Sequence, residues 1–582
     1  MVVVVGSLAA TLLIACSDGG HPDALDATDA TDSAPLDAPM DAPIPGALGA
    51  RCTVVDGGAP SGSCERSLVC LTDWDGFPRG YCSPACDPVT PCPMRSACSR
   101  RGTGGQCFGA CGSDRDCRTI DGYHCIQKAA GARICAPVES PLGLRDGRAC
   151  FDVGAGSHAL PALPRTTFNV PNVSATAART DATWMADGNV ARNPARDAIA
   201  LPYIAVGATS VFIGSSSLLG GTTVVATGSV RDPAEPLVAD PSVAYSRDGA
   251  LQVAFMAYRL NGLTAEHTHI WNAASADDGA AWGTPRRVDP DDASVRRVDK
   301  PWIAIGRSPT APADDLAYVV YAVEGASGAR ELRLQSSRDA GRTWGTPTVV
   351  AAISVRDGVR RMPQLAVLAV SVEGVLHLAY FEIPVDRVPA TLWGDAQNRI
   401  VWRSSADAAM TWSDPVVVSR ATMDTPVYVQ PAIAASSTAL HVAYVTGLAD
   451  GAWDVVLATS RDGGRTFVHR RVNDEPERCA THTLPSLVLD EARRRVHVVW
   501  LENRFGDGAA VYANCPEEPS LPCGSNEAVS DRPFVFSTTR DVTRWHGDYG
   551  GIALAPDGSV WAGWSDTRTR SPAMYLAHGV PR

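Results

Sequence analysis

The phrase Trp-x-acid-x-Arg occurs twice near the C-terminal end of this 582-residue chain, as Trp500-Leu501-Glu502-Asn503-Arg504 and as Trp564-Ser565-Asp566-Thr567-Arg568. An acid two residues before an arginine can serve in two ways. The guanidinium can clamp an anionic ligand with two parallel hydrogen bonds, or it can close on its own acid and brace a loop. Sulfur chemistry is also abundant, with 17 cysteines. A zinc site needs close Cys-x-x-Cys pairs, and the sequence has none. A catalytic cysteine needs a neighbouring base. Cys479 has His482 close by in sequence, but a disulfide is the simpler expectation. Cys515 and Cys523 would close the insertion NCPEEPSLPCG, which leaves Cys150 to pair with Cys479.

The elements that position these groups announce themselves as a repeat. SADDGAAW starts at Ser275, SRDAGRTW at Ser337, SADAAMTW at Ser405 and SRDGGRTF at Ser460, at intervals of 62, 68 and 55 residues. Seven short β runs lead the units, beginning at Pro202, Asp240-Pro241, Asp299-Lys300-Pro301, Met362-Pro363, Gln430-Pro431, Leu484-Pro485 and Asp548-Tyr549. A second run follows each, such as Leu251–Arg259, Leu316–Val323 and Val496–Leu501. Alternation and β-branched content suit half-buried antiparallel strands. Four strands per unit, repeated radially, predict an all-β β-propeller, with seven blades favoured and six possible.

The repeated octet resembles the Asp-box of the sialidase-like, BNR-repeat propellers. Ser275, Asp277, Gly279 and Trp282 match it in full, as do Ser337, Asp339, Gly341 and Trp344. Ser405, Asp407 and Trp412 carry Ala409 in the glycine place, and Ser460, Asp462 and Gly464 carry Phe467 in the tryptophan place. DKPWIAI at 299–305 and HGDYGGIALAPDGSVWAGWSDTR at 546–568 are similar to segments of bacterial exo-sialidase-like proteins. The resemblance covers about residues 200–582 and implies that the box forms the turn between the third and fourth strands of a blade. Asp would cap backbone N–H groups there, Gly would take the positive-φ position and Trp would pack between blades.

Strand direction then separates structure from function. If the first strand starts at the top face, the turn between strands three and four lies at the bottom, so the boxes are structural. The top-face funnel collects what leads into first strands and what leaves second strands. Asp240, Asp299, Lys300, His546, Asp548 and Tyr549 belong to the former set, and Tyr258, Arg259, Glu324, Glu382, Glu502, Arg504, Asp566 and Arg568 to the latter. Asp299, Lys300, Asp548, Arg259, Arg504 and Arg568 are the ligand-binding candidates. The family's chemistry uses three arginines on a substrate carboxylate, a tyrosine nucleophile beside a glutamate, and an aspartate acid/base. The resemblance implies Arg259, Arg504 and Arg568 for the arginines and Tyr549, Glu502 and Asp566 for catalysis, with Glu382 or Tyr258 as substitutes. The sequence departs from the family in lacking its Arg-Ile-Pro motif, since FEIP at 381–384 carries Glu in the arginine place. Seven units rather than six are a second departure, and both weigh against sialoside hydrolysis.

The N-terminal quarter reads differently. Val2–Ala15 is an apolar run suited to a signal-peptide core, ending in Leu13-Ile14-Ala15-Cys16, which resembles a bacterial lipobox. Residues 1–16 are therefore expected to be a lipoprotein signal, with Cys16 lipidated. Residues 17–50 are an Asp/Ala/Pro tract with no aromatic residue, lysine or arginine, and read as a disordered tether. Residues 51–140 contain three four-cysteine modules: Cys52, Cys64, Cys70 and Cys82; Cys86, Cys92, Cys98 and Cys107; Cys111, Cys117, Cys125 and Cys135. Modules this small need disulfides in place of a core, and sequence leaves three pairings open for each. The propeller is expected over 150–582.

A net charge of −12, with Lys128 and Lys300 the only lysines among 51 basic residues, excludes a nucleic-acid partner. No cofactor or metal is expected. The leading expectation is a lipid-anchored, secreted envelope protein, at the outer membrane or cell surface, whose propeller binds a glycan or protein ligand on its top face. A sialidase-type glycoside hydrolase and a purely structural envelope protein are the alternatives.

Overall fold

The computed structural model describes short stretches between Val69 and Pro137 and most of residues 163–581. The expectations for the signal run, Cys16, His546 and the Cys150–Cys479 pair concern residues outside that set, as does all but Leu48 of the tether.

In each cysteine module the third and fourth cysteines face each other on an antiparallel hairpin: Cys70 opposite Cys82, Cys98 opposite Cys107 and Cys125 opposite Cys135. The disulfides run elsewhere. Cys111–Cys125 and Cys117–Cys135 join first to third and second to fourth, and Cys92–Cys107 joins second to fourth.

Seven antiparallel sheets follow, and their inner strands touch in a closed cycle. The molecule is thus a seven-bladed β-propeller. Blade one takes its inner strand in two parts, Trp184–Ala186 and Ala191–Arg192, followed by Ala198–Val206, Val211–Leu219 and Thr223–Val230. Blade two runs from Leu237 to Arg287, blade three from Val295 to Ala352, blade four from Ser354 to Val417, blade five from Ala432 to Arg471 and blade six from His482 to Ala528. Blade seven uses Gly551–Leu554, Val560–Asp566 and Ala573–Gly579, and its outer strand is Val173–Ser174 from the other end of the chain.

Blade one corrects one strand of the sequence reading. Pro202 does not lead an inner strand; it lies in the second strand, opposite Ser215. The inner strand is 184–192, where Gly188 replaces the expected proline. Its phrase Ala186-Asp187-Gly188-Asn189-Val190-Ala191 parallels Ala239-Asp240-Pro241-Ser242-Val243-Ala244. The blade count was unaffected because one strand was mistaken for its neighbour.

An N-terminal arm closes the ring. Phe168, fully buried, packs edge-on to Tyr512 and fills the space over Gly579. Thr167 donates N–H and hydroxyl to Glu527 at 2.6 and 2.9 Å, and Ala528 N–H donates to Pro164 O. The arm thereby joins blades six and seven, so closure does not rest on the two-residue outer strand alone.

The Asp-boxes turn between third and fourth strands. In blade three, Ser337 Oγ accepts from Gly341 N–H at 2.9 Å and donates to Asp339 Oδ1 at 2.8 Å, while Asp339 accepts Thr343 N–H and Oγ–H at 2.9 and 2.6 Å. The boxes at Ser275, Ser405 and Ser460 repeat the Ser-to-Asp bond and the cap on the residue four beyond the aspartate. Glycine is needed for two reasons at once. Gly341 has φ +80, and a Cβ there would meet Asn272 of blade two at 2.2 Å. Trp282 donates to Ser215 of blade one at 3.0 Å, which places its ring between blades. Blade four tolerates Ala409 at φ 69.

Blade six has the same turn without the sequence. Gly524 N–H donates to Asn514 O at 2.9 Å, as Gly283 does to Ala274 and Gly345 to Ser336 in the boxes of blades two and three. Cys515 stands in the serine place and Cys523 in the tryptophan place, and they are disulfide-bonded.

Candidate functional site

Among the described residues, five inner strands kink. Asp187, Asp240, Lys300, Leu365 and Leu484 all adopt φ between 50 and 56. Strand pairing slips there, between Ala239 and Ser242, Asp299 and Trp302, Gln364 and Val367, and Thr483 and Ser486. A bulge of this kind re-aims a side chain, and non-glycine residues in this conformation each cost on the order of 1–3 kcal/mol. The Pro-led signal in the sequence is this bulge. In blade four it falls at Leu365, two residues after Pro363.

The kinks deliver a buried ionic knot. Lys300 Nζ lies 2.7 Å from Asp240 Oδ1 and 2.6 Å from Asp548 Oδ2, and 4.7 Å from the centre of the Tyr549 ring. Asp187 accepts the Asp548 N–H, and Tyr549 OH donates to Asp240 at 3.3 Å. One residue cluster therefore joins blades seven, one, two and three. Donor oxygens of Asp187, Asp240 and Asp548 lie within 4.8 Å of one another, a spacing that could hold a metal ion. Here the Lys300 ammonium sits against two of the three carboxylates. Burial and the Asp548 charge push the Asp187 carboxyl well up, and burial with Asp240 lifts Asp299 to about 7. Burial and Asp240 likewise push the Tyr549 phenol well up, which keeps it protonated. A tyrosine nucleophile needs the reverse.

Asp548 and Tyr549 also line the central channel, an open cavity of about 290 Å³ to which all seven inner strands contribute. Trp302 and Gln430 stand beside them on its wall, and the Trp302 and Tyr549 rings lie 6.3 Å apart. Gln430 Oε1 is buried without a hydrogen-bond partner among the described residues.

The two Trp-x-acid-x-Arg phrases fold alike. Trp500 Nε1 donates to Glu502 at 2.8 Å, and Trp564 Nε1 to Asp566 at 3.0 Å. Arg504 closes on Glu502 and also reaches Asp474 at 2.8 Å and Asn526 at 2.7 Å. Arg568 closes on Asp566 at 2.8 Å and reaches Asp531 at 2.5 Å and Asn172 of the closing arm at 3.3 Å. His482 completes the first cluster, with Nε2 at 3.2 Å from Glu502 and 3.5 Å from Glu475, and Nδ1 donating to Trp453 O. Burial opposes ionisation of Glu502, but Arg504 and His482 outweigh it and hold the carboxyl down to about 2.

The three residues named for catalysis have separate partners. Tyr549 contacts Asp240 and Lys300, Glu502 contacts His482 and Arg504, and Asp566 contacts Arg568. Of the three arginines, Arg504 and Arg568 are each held by acids and amides, and Arg259 is an exposed strand residue opposite Glu266. Asp299, Lys300 and Asp548 do come together, with Asp240 and Tyr549. Asp187 escaped the sequence reading because blade one was started at Pro202. The Asp187-Gly188-Asn189 parallel to Asp240-Pro241-Ser242 was the available signal.

Residues 317–512 match the family model described as BNR repeat-like domain, about a third of the chain. No curated protein matches the sequence. Among solved structures, a protein of unknown function from Dyadobacter fermentans is 12% identical with a TM-score of 0.41, covering 71% of this chain and 98% of its own. The Hadza microbial sialidase Hz136 is 15% identical with a TM-score of 0.39, covering 55% and 63%. The α-L-arabinanase of Penicillium chrysogenum, solved with arabinobiose, is 14% identical with a TM-score of 0.38, covering 59% and 92%.

Proposed function

We propose that this chain is a lipid-anchored envelope protein whose propeller binds a glycan at the top of its central channel. The observation that carries the reading is the contrast between two sets of residues. Arg504 and Arg568 are engaged by acids and amides around them, whereas Trp302 and Gln430, next to the Tyr549 and Asp548 of the Lys300 knot, line open space. Aromatic faces beside carboxylate and amide groups suit a polyol, which stacks its C–H face and hydrogen-bonds through its hydroxyls. The protonated Tyr549 and the dispersed acids favour binding over hydrolysis.

The test is a glycan array on the protein purified without residues 1–16, run beside a fluorogenic sialoside assay. Binding that is lost in Trp302→Ala, with no turnover, supports the reading. Turnover of the sialoside would replace it with the hydrolase, and an array without any hit would leave the structural alternative. For anchoring, Cys16→Ser should move the protein from the membrane fraction to the soluble one, and unchanged fractionation would exclude the lipid.

A further inference from the structure

All but two of the 51 basic residues are arginine; Lys128 lies among the cysteine modules, and Lys300 is the one lysine of the propeller. An arginine could pair with the same carboxylates through a planar fork of donors. What a lysine adds is an amine that becomes a nucleophile once it has shed a proton. The Lys300 side chain is buried, with Nζ 2.7 Å from Asp240 Oδ1 and 2.6 Å from Asp548 Oδ2, and the Tyr549 ring covers it at 4.7 Å. Burial opposes the ammonium, whereas Asp240 and Asp548 hold its charge up. Moving one proton along either hydrogen bond turns the ion pair into an amine and a carboxylic acid, uncharged groups that a buried site tolerates better. The three acids around Nζ differ. Asp240 is buried, and its Oδ2 has no hydrogen-bond partner among the described residues. Asp548 is fixed through its N–H to Asp187 and opens onto the channel. Asp187 is buried with a carboxyl oxygen within 4.8 Å of the other two, and burial with the Asp548 charge pushes it toward the neutral acid.

We propose that Lys300 and Asp548 condense to an isopeptide bond that fastens blade three to blade seven. Nζ bonds to Asp548 Cγ, one Cγ–oxygen bond breaks, and that oxygen leaves as water into the channel. Nζ goes from three protons to one. Asp240 takes the first of these protons, and the second goes to the departing oxygen. Asp187 supplies the other proton of the water, and a proton passed from Asp240 to Asp187 restores both acids. The opposite charges of the pair vanish together, and nothing is oxidised or reduced. A free amine and acid do not condense in water, but groups held in contact react with an effective molarity on the order of 10⁵–10⁸ M. The proposal does not depend on what the channel binds.

Trypsin places the three residues in separate peptides: Lys300 in 298–307, Asp548 in 545–568 and Asp240 in 232–247, with Pro301 blocking cleavage after Lys300. The full protein is reduced, alkylated, denatured and digested, and its peptides are sequenced by tandem mass spectrometry. Peptides 298–307 and 545–568 should appear joined, lighter than their sum by one water. Lys300→Arg keeps the cation and should release the two separately. Asp187→Asn should slow the joining in freshly synthesised protein by about a hundredfold, and an unchanged rate would remove Asp187 from the step. A knot that is only ionic gives two separate peptides from the wild-type protein, and that result overturns the proposal. A join between 298–307 and 232–247 overturns the choice of Asp548.

Discussion

The ammonium of Lys300 in blade three meets the carboxylate of Asp548 in blade seven at 2.6 Å, across 248 residues of sequence. Asp240 of blade two shares the same ammonium. The contact ties blade three to blade seven past blades one and two.

Removing that charge should be severe. Lys300→Met leaves Asp240 and Asp548 buried with no cation between them, beside Asp187. Breaking one partner of a buried pair costs on the order of 3–5 kcal/mol. Urea unfolding of the variant should show a loss of that size. A loss below about 1 kcal/mol, the scale of a surface ion pair, would mean the knot is solvated and not buried.

Asp339→Ala and Arg568→Ala should both destabilise, and by different routes. The first removes a turn acceptor and costs about 1 kcal/mol. The second strands Asp566 and Asp531 and removes one of the bonds to Asn172 of the closing arm, so it should cost more. It should also expose the arm around 163–176 to protease. If Arg568→Ala melts like the wild type and loses glycan binding instead, Arg568 is a ligand clamp after all.

The pH dependence has two limbs of opposite origin. His377, His441 and His497 sit at matching places in the second strands of blades four, five and six. Burial pulls each imidazole down to about 4. The unfolded chain takes up these protons near pH 6.5, so the stability they allow is present above 6.5 and lost as pH falls through about 4. For His482 burial is outweighed by Glu475 and Glu502, which hold it up to about 10. Its contribution is full below about 6.5 and lost as pH rises through about 10. Stability measured by urea from pH 4 to 10 should therefore peak near 6.5, and His482→Gln should flatten the alkaline limb alone. An acid limb that begins only below about pH 4.5, where carboxylates titrate, would show that the three histidines are not held neutral.

The disulfide of blade six should be exchangeable for a box. Replacing Cys515 and Cys523 with serine should cost about 2–3 kcal/mol by the chain-entropy argument for so short a loop. Grafting the blade-three octet SRDAGRTW into that turn should restore most of the loss without sulfur. Melting curves of the three proteins decide it, and a graft no more stable than the double serine variant would mean that the turns are not equivalent.

The architecture was legible because its signals are local. Ser, Asp and Gly at fixed spacing define a turn whose Ser and Asp caps stay within eight residues, so four blades could be read directly. Blade six hid its turn because a disulfide performs the same closure with different atoms. Blade one hid its inner strand because Gly188 stands where others carry proline. The site was only partly legible, since its partners meet across the ring. Lys300 and Asp548 were flagged from their strand positions, but nothing local to Glu502 or Asp566 says that the neighbouring arginine folds back. That outcome depends on Asp474 and Asn526 in one case and on Asp531 and Asn172 in the other.

The outer strand of blade seven, Val173–Ser174, pairs with Tyr575 and Leu576, and the chain enters the ring through it from the N-terminal side. Mechanical load arriving from the N-terminal side is thus applied to the seam of the ring. Phe168, Thr167 and Asn172 lie upstream of that strand and take the load in turn, each anchored in blade six or its loop to blade seven. We expect a pulling experiment from that side to unseat these anchors before any other blade yields, with rupture forces lowered by Glu527→Ala; a first rupture elsewhere would show that the seam is not the weak point.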